Sequence, residues 1–122
     1  FDQEIARPHG PGSERGRRAE ANCGAFVALA RAIGVALASH DDTTAAHVDE
    51  AHALGASICE FPTTLEAARR AADLGLLTLG GAPNLLRGHS HAGNVPVAAL
   101  VEAGVLDALS SDYVPATLLA AA

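Results

Sequence analysis

Four times along the chain a short apolar run gives way to polar residues and then to a helical pattern. The runs lie at 35–38, 57–61, 76–79 and 105–109. The first, Val35-Ala36-Leu37-Ala38, is apolar without alternation, which predicts a strand of a parallel sheet covered on both faces. The helical patterns are bounded by recognisable signals. Residues 20–33 carry Phe26, Val27, Leu29, Ala30 and Ile33 near helical spacing and stop at Gly34. A second helix is expected over 45–54, capped by Thr43 or Thr44 and closed by Gly55. A third opens after Pro62 and ends near Leu74-Gly75, and Thr63 and Glu66 have the spacing of a capping box. Asn94 is a candidate cap for a helix over 95–103, with Pro96 in its first turn and Gly104 at its end. A last helix starts at Pro115. Consecutive βα units with short αβ turns predict an α/β fold with a parallel sheet and right-handed crossovers.

Two segments break this rhythm. Residues 1–19 hold Pro8, Gly10, Pro11, Gly12 and Gly16 beside Arg15, Arg17 and Arg18, and are expected to form a flexible loop or tail. The folded domain is then expected over 20–122. The connection 81–94 is long for a compact α/β unit, which points to function.

Composition narrows the chemistry. The chain has 122 residues, 49% of them hydrophobic, enough for one domain with its own core. The net charge of −6 argues against nucleic acid as a partner. An anionic substrate then needs local groups or metal ions to overcome the general field. Every basic residue is Arg, so lysine chemistry within this chain is excluded. Cys23 and Cys59 lie in different expected elements without a C-x-x-C pair, which argues against a disulfide scaffold or a cysteine zinc site. No apolar run reaches the roughly 18 residues of a membrane span, and no secretory signal is visible, so a cytoplasmic protein is expected. Position 1 is Phe rather than Met, which leads us to expect a piece of a longer chain.

Candidate chemistry gathers at the ends of the apolar runs, as it does in βα-barrels and open α/β sheets. His40, Asp41 and Asp42 follow the first run; an imidazole and carboxylates there suit a divalent cation, although either Asp could simply cap the next helix. Glu60 ends the second run and needs a partner or a metal if it is buried. Thr63 and Thr64 put hydroxyls and free N–H groups at a helix start, either as an anion site or as ordinary caps. The 81–94 loop holds Asn84, Arg87, His89, His91 and Asn94. Arg87 suits bidentate phosphate or phosphonate binding, and in an extended segment the two histidines share a side. Asp112, after the fourth run, suits metal binding and general-base work, with a helix cap as the plainer alternative.

Taken together, Ala38-Ser39-His40-Asp41-Asp42-Thr43-Thr44, Glu60-Phe61-Pro62-Thr63-Thr64, Gly81-Ala82-Pro83-Asn84, Arg87-Gly88, Ser90-His91-Ala92-Gly93-Asn94 and Leu109-Ser110-Ser111-Asp112-Tyr113-Val114-Pro115 are specific. In this order and spacing they resemble the phosphonate-metabolism members of the amidohydrolase superfamily, over about 28–122 and not over 1–19. The resemblance implies a distorted (β/α)8 barrel with metal at the strand C-termini, of which this chain would be the C-terminal half. It implies His40 as a metal ligand and Asp112 as metal ligand and base. Glu60 would stand where many members place a His ligand, and the 81–94 loop would lie over the substrate. The implied cofactor is a divalent metal: zinc, manganese or iron. The implied reaction hydrolyses α-D-ribose 1-methylphosphonate 5-triphosphate, an anionic phosphorylated ribose phosphonate, to the 5-phosphate and diphosphate in the C–P lyase route. The superfamily's early H-x-H pair and bridging residue are absent from these 122 residues. Alone, the chain is therefore expected to bind metal weakly, turn over little, and pair through exposed strand edges as a possible homo-oligomer. Another amidohydrolase reaction, such as deamination, and a non-catalytic α/β remnant are the alternatives.

Overall fold

The structure, a computed structural model, describes residues 13–88 and 93–121. The chain divides into two compact units, Phe1–Val35 and Ala36–Ala122. In the first, helix α1 spans Glu14–Ile33. It begins six residues before the expected start at 20, so residues 14–19 of the expected tail are helical. Ser13 explains the early start. Its side chain accepts the Gly16 N–H at 3.0 Å, and Glu14 complements the positive helix end. Gly34, at φ 71°, closes the helix with a left-handed turn. Residues 1–12 of that tail lie outside the described residues.

The second unit alternates strands and helices: β1 Leu37–His40, α2 Ala45–Leu54, β2 Ala56–Glu60, α3 Leu65–Asp73, β3 Leu77–Gly81, α4 Ala82–Arg87, α5 Val97–Glu102, β4 Ala108–Ser110 and α6 Thr117–Ala121. The four strands form one parallel sheet in the order β1-β2-β3-β4. This is α/β architecture in consecutive βα units, as the apolar runs predict and of the kind from which (β/α)8 barrels are built. Among the described residues, no helix is long and apolar enough to cross a membrane.

Local signals account for α2 and α3. Thr44 caps α2 by accepting the His47 N–H, and Gly55 closes it at φ 97°. Thr64, not Thr63, caps α3 by accepting the Ala67 N–H. The expected capping box does not form. Glu66 instead accepts the Ala45 N–H at 3.0 Å, so its carboxylate satisfies the start of α2 rather than that of its own helix. Asn94 likewise is not the cap of α5, whose N-cap is Pro96. The open Val97 N–H there is met by Asn84 Oδ1 at 3.0 Å, from 13 residues back along the chain.

The core lies on one face of the sheet. Val48 of α2, Ala67 and Ala71 of α3, Cys59 and Leu76 form its centre. The alanines let α3 approach the strands closely. Gly80 extends this face toward α5: a Cβ there would stand 2.8 Å from Leu106 Cδ1 and 3.1 Å from Val97 Cγ1. The opposite face presents Ala38, His40, Ile58, Glu60, Leu77 and Leu79, and Leu77 is 55% exposed. This corrects the expectation of strands covered on both sides. Burial alternates along the strands because α2, α3 and α5 all pack on one face.

Candidate active site

The parallel register brings the strand C-termini level. His40, the last residue of β1, pairs with Glu60, the last of β2, while Gly81 of β3 pairs with Ser110 of β4. The ladder runs one step further: Asp41 N–H donates to Glu60 O at 3.0 Å and Phe61 N–H to Leu79 O at 2.9 Å. Beyond these ends opens a cleft of about 290 Å³, bounded by His40, Phe61, Gly81, Arg87, Asp112 and Tyr113. It therefore draws on all four strand ends and on the connection after β3, the usual place for a site in such a fold.

His40 sits between two carboxylates. Its Nδ1 is 3.2 Å from Asp41 Oδ2 and its Nε2 is 4.0 Å from Glu60 Oε2. The imidazole meets the Phe61 ring edge-on, with centroids 5.5 Å apart and planes at 88°. Zinc bonds to nitrogen and oxygen are about 2.0–2.2 Å, so two donors on one ion lie at most about 4.3 Å apart. A tetrahedral ion sets its donors roughly 3.4 Å apart, so the His40–Glu60 pair, at 4.0 Å, would have to close by roughly half an ångström to serve as two ligands. Among the described residues no group of three His, Cys, Asp or Glu converges.

Three residues at these strand ends have left-handed backbones without being glycine: Asp41 at φ 58°, Phe61 at φ 53° and Asp112 at φ 51°. All three line the cleft. Aspartate tolerates this region, whereas a phenylalanine there stores roughly 1–2 kcal/mol. Ser110 steadies the last turn by accepting the Asp112 N–H at 3.2 Å.

Asp42 has a different task from Asp41. It is buried, and its carboxylate accepts hydrogen bonds from Ser39 Oγ and Cys59 Sγ. It ties β1 to β2 behind the cleft. Burial, then the hydrogen bond and the charge of Asp42, push the Cys59 thiol up from 9.0 to about 12, with Ser39 partly opposing. Between these values the unfolded chain loses the proton and the native one keeps it. Stability from this group is therefore complete below pH 9 and falls by about 1 kcal/mol per pH unit above it. At pH 8, alkylation mapped by peptide mass is expected to label exposed Cys23 and to spare Cys59 until the protein is unfolded. Equal labelling of both in the native protein contradicts this placement.

The other expected site residues divide. Arg87 lines the cleft, donating from Nη1 to Tyr113 Oη at 2.6 Å with its guanidinium 5.8 Å from the centre of that ring. Asn94 and Asn84 also line it. The Asn84 amide additionally ties Val95 and Val97 together, holding the connection in shape. Thr63 and Thr64 do not line the cleft. Thr63 Oγ1 bonds Thr43 Oγ1 at 2.9 Å, and Thr64 Oγ1 donates to Thr43 O at 2.8 Å while it caps α3. Their hydroxyls lock two loops together. His89 and His91 lie outside the described residues.

With that geometry in place, the sequence relationship is informative. Over 106 residues the chain is 55% identical to the alpha-D-ribose 1-methylphosphonate 5-triphosphate diphosphatase of Escherichia coli (strain K12). This chain is similar to that diphosphatase. The match takes in 87% of the chain, which spans 28% of the diphosphatase's length. No protein-family model and no solved structure matches the chain.

Two aromatic residues of the cleft were not among the candidates drawn from sequence, although both stand in the motifs that resemble such hydrolases. Phe61 follows Glu60, and Tyr113, the chain's one tyrosine, follows Asp112. A lone aromatic beside an acid is the signal that could have found them. Their apolar character reads as core until the left-handed turns are seen.

Proposed function

We propose that this chain supplies one side of a metal-dependent diphosphohydrolase site that releases diphosphate from α-D-ribose 1-methylphosphonate 5-triphosphate in phosphonate catabolism. One observation carries the reading. His40, Asp112 and Arg87 line one cleft at the strand ends, with Glu60 beside His40, in a chain 55% identical over 106 residues to a diphosphatase named for that compound. His40 and Glu60 would supply two ligands to a divalent ion, zinc, manganese or iron, while Asp112, expected from sequence as a further ligand, does not converge with them. When bound, the ion acidifies a water and offsets phosphate charge. Asp112 takes the proton of the attacking water. The water oxygen bonds phosphorus, the α–β anhydride bond breaks, and diphosphate leaves with the bonding electrons. Arg87 pairs with phosphate or phosphonate oxygens and stabilises the charge that builds on them, with Tyr113 holding its guanidinium at the rim. The substrate is a polyanion that does not cross a bilayer, so the enzyme works in the compartment where it is made, which we take to be the cytoplasm.

The test compares the intact protein with its His40→Ala variant. Diphosphate release is measured on the ribose triphosphate, on ATP and on cyclic amides, and bound metal by elemental analysis. The ribose triphosphate is expected to be the preferred substrate. His40→Ala is expected to weaken metal binding by at least about 10- to 100-fold, the range for lesser disturbances of metal shells. Preference for cyclic amides refutes the diphosphatase assignment. A variant that keeps both metal and rate reduces the chain to a non-catalytic α/β remnant.

A further inference from the structure

Phe61 is the odd residue of the cleft. In an extended continuation of β2 its side chain would fall on the sheet face opposite to that of Glu60, among Cys59 and the helices, where an apolar ring is well received. The chain turns left-handed at φ 53° instead, and the Phe61 N–H is pinned to Leu79 O at 2.9 Å. The turn carries the ring away from the core and into the cleft. A backbone conformation this unfavourable for a bulky residue persists only where its surroundings impose it, and such positions cluster at functional sites.

The ring has a defined destination. It stands edge-on to the His40 imidazole at 5.5 Å and 88°. It also reaches over β3: Cε1 lies 3.8 Å from the point where a Cβ on Gly81 would be, and Asp112 Oδ2 lies 3.9 Å from the same point. The ring thus touches His40 and comes close to Gly81, beside which Asp112 also stands. The carboxylates of Asp41 and Glu60 flank the two nitrogens of His40, while the Phe61 ring stands perpendicular to the imidazole plane. Hydrogen bonds set where an imidazole nitrogen points, and a packed neighbour sets the plane of its ring.

We infer that Phe61 is a positioning residue for His40, fixing the imidazole plane so that Nε2 is held toward Glu60. This deepens the proposed function and rests on it only for the role of His40 as a ligand. The left-handed turn is the device that brings the ring into place, and it explains why an aromatic occupies a position where glycine or asparagine would sit without strain.

The experiment measures the His40 ring proton shifts by NMR in the metal-free intact protein, then Mn²⁺ affinity by titration, for wild type, Phe61→Leu, Phe61→Tyr and His40→Ala. In wild type the His40 ring protons are expected to carry a ring-current shift from Phe61. Phe61→Leu keeps apolar bulk but removes the aromatic ring. It is expected to abolish the shift and to weaken Mn²⁺ binding by about 10- to 100-fold, the usual range for groups that orient a ligand. Phe61→Tyr keeps the ring and is expected to restore both. The inference is overturned if wild-type His40 carries no such shift, or if Phe61→Leu leaves shift and affinity unchanged. Mn²⁺ binding that survives His40→Ala refutes the metal-site reading separately, while the NMR shifts still decide whether Phe61 orients His40.

Discussion

Asp112→Asn in the intact protein is expected to lower the rate of diphosphate release by about 10²- to 10⁴-fold, the range for a lost general base. The substitution is chosen for its backbone. Asp112 sits at φ 51°, and asparagine is the other non-glycine residue that accepts this region readily. The Asp112 N–H keeps its bond to Ser110 Oγ, so the turn after β4 survives. What changes is the acceptor. An amide oxygen does not take a proton from water near neutral pH, and it neutralises no charge. The loss should therefore appear in kcat more than in KM. A rate within an order of magnitude of wild type removes Asp112 from the proton-transfer role and leaves it as a turn residue. Unfolding curves of the two proteins should coincide, because Asp112 is exposed.

Leu100→Ala is expected to lower the unfolding free energy by about 2–5 kcal/mol. Leu100 is 1% exposed and is the largest fully buried side chain among the described residues. It lies on α5 and lines the floor of the cleft. Its carbonyl also accepts the Val105 N–H at 3.0 Å, at the turn leading toward β4. Truncation leaves a cavity between α5 and the strand ends, where the rigid sheet cannot collapse to fill it. The shift should appear in the denaturant midpoint at an unchanged slope. Leu100→Met preserves volume and should cost under about 1.5 kcal/mol. Equal losses for the two variants exclude cavity formation as the cause. Rates at saturating substrate, measured well below the unfolding transition, should fall less than for Asp112→Asn, since Leu100 offers no group to the reaction.

The two variants probe different determinants of the molecule. Leu100 acts through its burial, and burial of apolar runs is what the order of residues announces most directly. The four βα units follow from the runs that become β1 to β4 and from the glycines that end α1 and α2. Thr44 caps α2 because a hydroxyl at the N-cap needs only the N–H three residues on, a contact local in sequence. The places of His40, Glu60 and Asp112 at or just past strand ends were legible for the same reason: a strand end is a local event, and polar residues gather where an apolar run stops.

What the sequence could not reveal depends on partners far along the chain. Glu66 has the spacing of a box on its own helix, yet it serves α2, because the sheet sets the two helix starts side by side. Asn84 caps α5 across a turn, and Thr63 meets Thr43 across 20 residues. Tyr113 enters the cleft because α4 carries Arg87 within reach of it. The sequence by itself determined the α/β alternation, the parallel sheet and the strand-end position of the three acidic and imidazole groups. Only the tertiary structure decided which of these groups meet. Register set His40 against Glu60, and three left-handed turns, which no propensity favours for phenylalanine, aimed Asp41, Phe61 and Asp112 into one cleft.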